Sequence, residues 1–170
     1  MRFSSLLSAA SITVLGVLAL PGAGCRQHGA ETGPKPAAEA VRKPVGDWLT
    51  DYDAAVARAK AENKMLLMNF TGSDWCAGCI TLDREVFPKP EFQDYAKKNL
   101  ILLELDFPLG HELPPSLAEQ NQKIQAQFGV NGYPTLIVTS SEGRQLAHWL
   151  SLPEGTGAEA LVKMIDALKK

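Results

Sequence analysis

The sequence predicts an α/β protein in which a central mixed sheet of four to five strands is sandwiched between helices. Three observations predict it. The short, nearly continuous apolar runs Met65 to Phe70 and Leu100 to Leu105 have the length and composition of strands covered on both faces. Around them lie stretches whose apolar residues recur every three or four positions, as on helices with one buried face. Two further runs, Thr135 to Thr139 and Gln145 to Leu150, flank the Gly-containing turn Ser140 to Arg144 and form an antiparallel hairpin pattern.

The elements follow in order. Thr50 with Asp53 three residues later makes a capping-box start, and Tyr52, Val56 and Ala59 to Ala61 fit one face of a helix that ends near Asn63. The strand Met65 to Phe70 comes next. Cys76 to Phe87 then has helical spacing, with Cys79, Ile80, Leu82 and Val86 available to the interior and Pro88 as its stop. Glu91 to Lys98 is a second short helical piece before the strand Leu100 to Leu105. Asp106 to Pro115, with its prolines and Gly110, separates that strand from a helix over Ser116 to Phe128. Gly129 to Pro134 connects to the hairpin, and Gly157 to Leu168 closes the chain as an amphipathic helix through Leu161, Ile165 and Leu168. The resulting order is α-β-α-β-α-β-β-α, without an internal repeat.

The 170-residue chain begins with segments that are not fold. Arg2 is followed by an uncharged stretch, Phe3 to Leu20, whose apolar part has the length of a signal-peptide core rather than a membrane span. Residues 1–24 therefore read as a signal peptide, ending in Ala23-Gly24-Cys25. These residues resemble a bacterial lipoprotein signal, which implies lipid attachment at Cys25. An ordinary secretory signal, leaving Cys25 a free thiol, and an uncleaved anchor are the alternatives. All three put the remainder outside the cytoplasm, on the periplasmic side of a bacterial membrane if Cys25 is lipidated. Residues 25–46 mix Pro34, Pro36 and Pro44 with Gly, Ala, Glu and Lys and lack aromatics, the composition of a disordered tether. Residues 47–170 are long enough for one hydrophobic core. Loss of Arg2 with the leader turns 17 basic against 19 acidic residues into 16 against 19, which provides no nucleic-acid footprint.

The chemistry is concentrated in Trp75-Cys76-Ala77-Gly78-Cys79. With three cysteines in the chain, Cys76 and Cys79 pair naturally and Cys25 is left over. On a helix, residues i and i+3 share one face, so the two sulfurs can bond with little backbone change. Cys76, at the helix N-terminus, has its thiolate stabilised by unpaired N–H groups and the positive end of the dipole, and is the nucleophile. Cys79, one turn in, resolves the mixed disulfide that Cys76 forms. Structural zinc needs two more ligands, yet His28 lies in the tether and His111 and His148 lack ligand spacing, so no metal site is expected. A static disulfide across so short a loop is a poor staple. No organic cofactor is required.

Leu66-Leu67-Met68-Asn69-Phe70, the cysteine motif and Val130-Asn131-Gly132-Tyr133-Pro134-Thr135 together resemble the thioredoxin-like superfamily, over nearly all of Asp47 to Lys170. The resemblance implies a thioredoxin-like sandwich and a cis peptide bond at Tyr133-Pro134, facing the cysteines. Such a bend lets the backbone before the proline pair with an extended substrate beside the thiol. Trp75, Tyr133 and Pro134 are then the substrate-binding candidates. There are departures. Thioredoxins carry Gly-Pro where this chain has Ala77-Gly78, and strong oxidants carry a histidine there. Their buried aspartate is replaced by Asn69, which is no base at neutral pH, so a proton acceptor must be sought at Asp74, Glu85, water or another group. The loop Phe70 to Cys76 is one residue longer than usual and, with Glu85-Val86-Phe87 and Leu105-Asp106-Phe107-Pro108, resembles a secreted bacterial subgroup. The segment Phe107 to Pro115 is expected as a surface loop, with a substrate-binding lip as the alternative.

These features imply an extracytoplasmic thiol-disulfide oxidoreductase, directed to reduction or isomerisation, with protein thiols or disulfides as substrates and an external electron donor or acceptor. A reductase specialised for cytochrome c maturation is a narrower version. A non-catalytic binding or assembly module, either a holdase or a copper-delivery protein, is the alternative.

Overall fold

The computed structural model describes residues 47–169; the leader, Cys25, His28 and the tether lie outside the described residues. Four strands form one mixed sheet in the order β2-β1-β3-β4. The central strand β1, Met65–Thr71, runs parallel to β2, Leu100–Asp106, and antiparallel to β3, Thr135–Thr139, which pairs antiparallel with β4, Gln145–Leu150. At the far edge Leu49 adds a single parallel bridge to Leu103, donating to the Leu102 carbonyl and accepting from the Glu104 N–H.

Period-two alternation along β1 divides the core. Leu66, Met68 and Phe70 join Ala55 and Ala59 of α1, Tyr52–Glu62, and Ile124 of α4, Pro115–Gln127, in one apolar cluster. Leu67 faces the opposite cluster, built with Phe92 and Ala96 of α3, Pro90–Asn99, and Leu161 and Ile165 of α5, Ala158–Asp166. Both faces of the sheet are therefore covered by helices, and the near-continuous apolar character of β1 and β2 is its consequence. No helix among the described residues is long and apolar enough to cross a membrane.

Two local expectations are corrected. The N-cap of α1 is Asp51, not Thr50: its carboxylate accepts the Ala54 N–H at 2.8 Å, and the helix begins at Tyr52. The stretch after Cys76 is not one regular helix. Helix α2, Ala77–Thr81, passes into a π segment, Leu82–Val86, in which Phe87 N–H reaches the Leu82 carbonyl five residues back. The wider turn lets Leu82, Val86 and Phe87 all reach the core under the motif. Three helical pieces thus separate β1 from β2, where two had been expected.

Candidate active site

Strand β1 delivers the chain to a tight loop, Gly72 to Trp75, from which α2 starts. The loop closes through the Cys76 N–H to the Gly72 carbonyl at 2.9 Å. Cys76 is the N-cap of α2, and its sulfur accepts the Cys79 N–H at 3.3 Å. The two cysteines form a disulfide with their Cα atoms 5.2 Å apart. Cys76 is 7% exposed and Cys79 only 1%, so the outer sulfur is the one that solvent and partners reach. The Gly72 N–H points at the Cys79 sulfur at 3.5 Å, adding a backbone donor on the inner side.

The Tyr133–Pro134 peptide bond is cis. Gly78 lies against this proline so closely that a Cβ at position 78 would come within 3.2 Å of Pro134 Cδ. The Pro134 carbonyl is occupied by the Ser151 N–H at 2.8 Å, while among the described residues the Tyr133 main chain has no backbone partner. The Tyr133 ring stands edge-on to Trp75 at 5.8 Å and beside Phe107 at 5.1 Å. Burial pushes the Tyr133 phenol above its ordinary pKa, against the opposing effect of the Gln125 amide that donates to it at 2.7 Å. Trp75 remains 46% exposed while its indole N–H donates to the Phe107 carbonyl at 2.8 Å. The structure thus brings Trp75, Tyr133 and Pro134 together around the cysteines.

The segment after β2 is a surface loop, as expected, and forms a lip whose main chain is tied to the cysteine loop. Asp74 accepts the N–H of Leu109 at 3.1 Å and of Gly110 at 2.6 Å, and His111 Nδ1 lies 3.6 Å from the same carboxylate. A Cβ at position 110 would lie 2.8 Å from Asp74 Oδ2, so any other residue there displaces the carboxylate from its present place. Gly72 is required for a similar reason: a Cβ would lie 2.4 Å from the Trp75 indole folded back over it. The two backbone donors hold the Asp74 carboxyl below its ordinary pKa. Asp74 is therefore a loop anchor, and the same donors make its carboxylate a weaker base. A parallel anchor is Asp106, which accepts the Ser73 N–H at 3.0 Å and hydroxyl at 2.6 Å.

Glu85 is exposed and lines a second groove with Gly78, Pro134 and the segment after β4. Asn69 is 1% exposed, and neither its Oδ1 nor Thr71 Oγ1 makes a hydrogen bond among the described residues. Asn69 is paired in register with Glu104, whose carboxylate is likewise buried, and Asp83, one turn after Cys79, is buried too. These two acids escaped the sequence reading. Their signal was present: Glu104 is one charge inside the apolar run Leu100 to Leu105, and Asp83 sits at helical spacing from Cys79. Among the described residues no group of three or more His, Cys, Asp or Glu side chains is arranged to hold a metal ion.

Comparison with known proteins agrees with this geometry. The thioredoxin-like family model matches residues 47–140. The disulfide bond reductase DsbH of Chlamydia pneumoniae is 36% identical over 118 residues, covering 69% of this chain and 70% of that protein. The thioredoxin-related protein DsbJ of the same organism is 28% identical across 65% of this chain but only 32% of its own length. The thiol:disulfide interchange protein DsbD 2 of Pseudomonas aeruginosa is 29% identical across 61% of this chain and 19% of its own. A solved structure of the DsbH oxidoreductase superposes with a TM-score of 0.66 at 35% identity, covering 73% of this chain and 85% of that one. The C-terminal domain of Neisseria meningitidis DsbD, in its oxidised form, shares the fold at 16% identity and a TM-score of 0.52, covering 69% and 91%.

Proposed function

The chain belongs to the thioredoxin-like family, and from that premise we propose that it is a thiol-disulfide oxidoreductase reducing or isomerising protein disulfides outside the cytoplasm. The observation that carries this proposal is the Cys76–Cys79 disulfide at the start of α2, against the cis Tyr133–Pro134 bond.

In the reductive direction the Cys76 thiolate, stabilised at the helix start, attacks one sulfur of a substrate disulfide. The substrate S–S bond breaks, and its second sulfur departs as a thiolate and takes up a proton. Cys76 is then joined to the first sulfur. Cys79 loses its proton and attacks Cys76; the intermolecular bond breaks, the remaining substrate sulfur leaves as a thiol, and the Cys76–Cys79 disulfide forms. The substrate has gained two electrons and two protons from the two cysteines, and an external dithiol restores them. Pro134 lacks an N–H and turns the Tyr133 main chain to the groove, where it pairs with the extended substrate.

Support for the direction is the absence of a histidine between the cysteines and the likeness to a relative named as a disulfide bond reductase. Support for the location is the leader over 1–24; Cys25 is the proposed lipid attachment site, with residues 25–46 as tether and 47–170 as the working domain.

Replacing Cys79 with Ala strands the substrate on Cys76, so mixed-disulfide adducts accumulate in the native host and can be identified by mass spectrometry. Cys76→Ser abolishes both adducts and exchange. Recovery of no adduct, or full retention of cellular function by Cys76→Ser, would overturn the proposal in favour of a binding module. The equilibrium of the pair against glutathione then separates reductase from oxidase.

A further inference from the structure

Charge is divided unevenly between the two ends of the domain. The register pairs Met65 with Leu100 and Leu66 with Thr139, so the starts of β1 and β2 and the turn Ser140 to Arg144 lie at the end opposite Cys76. The last turns of α1 and α3 lead into these strands and bring Lys60, Lys97 and Lys98 there, with Arg58 one turn earlier. Lys64 precedes β1, Arg144 closes the turn, and Lys169 reaches Asn99 at 2.9 Å. These are seven of the eleven Lys and Arg residues in 47–169, and they meet only four of its seventeen acids, Asp47, Glu62, Glu142 and Asp166. The rest of the domain is left with four cations against thirteen acids. One end is thus net positive by three, and everything beyond it net negative by nine.

Helix ends favour cations in their last turn, which explains Lys60, Lys97 and Lys98 locally but not Lys64 or Arg144. Arg58 and Lys64 share one carboxylate, Glu62, at 2.6 and 2.7 Å. Lys60, Lys97, Lys98 and Arg144 are exposed and make no ion pair among the described residues. At the outer edge of β2, Arg58, Lys64 and Lys97 line a recess of about 80 Å³ in which Asp47 is the one acid. Because Asp47 is also the first described residue, the chain enters the domain at this basic end.

Resting on the membrane-anchored, extracytoplasmic reading above, we propose that the basic end docks on the phosphate headgroups of an anionic bilayer, turning the Cys76–Cys79 disulfide away from the membrane. Two observations choose this occupant. Cations spread over several separate elements at one end match an extended anionic plane better than a single ligand, and the proposed lipid site at Cys25 is only 22 residues before Asp47. A domain linked so closely to lipid meets the surface at high effective concentration, so a modest attraction suffices. The other end is repelled. Glu112 and Glu154, exposed on either side of the disulfide, carry the same sign as the lipid phosphates. Attraction below and repulsion above orient the domain in one sense. Soluble polypeptides then approach Cys76 freely, whereas sulfurs held at the bilayer surface do not.

The test binds the full-length chain to vesicles of phosphatidylcholine, alone or mixed with phosphatidylglycerol, and floats them. Brief treatment with an amine-acetylating reagent follows, and mass spectrometry reads each lysine. On the anionic vesicles Lys60, Lys97 and Lys98 should react about fivefold more slowly than on the zwitterionic ones, and high salt should remove the difference. Lys89 and Lys123, exposed elsewhere, should keep their rates. Lys97→Glu/Lys98→Glu should abolish the protection of Lys60, whereas Lys89→Glu, a like change of charge away from this end, should preserve it. Flotation with unchanged reactivity at all five lysines overturns the docking while leaving the anchor standing. Failure to float with either kind of vesicle overturns the anchor, and the orientation with it. Protection by inorganic phosphate without vesicles assigns the basic end to a free anion, and equal protection on both kinds of vesicle assigns it to a second copy of the chain; either result overturns the proposal.

Discussion

Asp74 illustrates how much of this site depends on residues that do no chemistry. Its carboxylate spends its acceptor capacity on the Leu109 and Gly110 N–H groups, joining the cysteine loop to a lip some 35 residues further along the chain. The folded carboxyl lies below its ordinary pKa because the backbone donors favour the charged form. A carboxyl whose pKa is depressed by folding contributes at neutral pH, and that contribution is lost as pH falls through the folded value. In an acid titration followed by NMR, the amide resonances of Leu109 and Gly110 should therefore move with a midpoint below the ordinary aspartate value of about 3.9, and Asp74→Asn should remove the transition. A midpoint at or above the ordinary value would sink this account. At this scale the Cys76–Cys79 disulfide and the cis Tyr133–Pro134 bond are legible because each sits in a short contiguous motif. Asp74 as an anchor is not, because its partners are main-chain groups on another loop and leave no mark in local sequence.

At the scale of elements, strands were more legible than helix ends. Strand β1 extends one residue beyond its expected end and β2 does the same, since alternation and apolar runs are set by the burial of the sheet itself. Helix starts depend on one side chain, and neighbouring polar residues compete for the role. Thr50 and Asp51 both had suitable chemistry, and it is Asp51 that accepts the Ala54 N–H. Asp51→Ala should therefore lower stability by about 1 kcal/mol in denaturant unfolding, whereas Thr50→Ala should cost less than about 0.5 kcal/mol. Equal effects would return the cap to Thr50. The π segment was illegible for a different reason. A shift from four to five residues between bonded groups is decided by how Leu82, Val86 and Phe87 pack beneath the motif, and helical periodicity in the sequence tolerates either.

Across the whole molecule, the fold class was readable because the order of strands and helices, with the hairpin at the end, restricts the sheet to few topologies. Leu49 at the sheet edge was not, since a one-residue bridge has no periodicity to detect. The two apolar clusters on either face of the sheet are built without the cysteines, so stability and chemistry are carried by different parts of the chain. Closing a ring as short as Cys76 to Cys79 limits the unfolded chain by about 2 kcal/mol at most on the chain-entropy model. Reduced and oxidised protein should accordingly both be folded, and any difference in their melting temperatures should reach roughly 5 °C rather than tens of degrees. That small difference has a direct meaning. Folding and oxidation form a closed thermodynamic cycle, so the form that melts higher is the form the fold prefers. A domain that draws electrons out of itself to reduce others must favour its own disulfide, whereas an oxidant is stabilised when reduced. Two calorimetric traces, one with and one without dithiol, can thus report which way electrons flow through this pair of sulfurs before a single substrate is known.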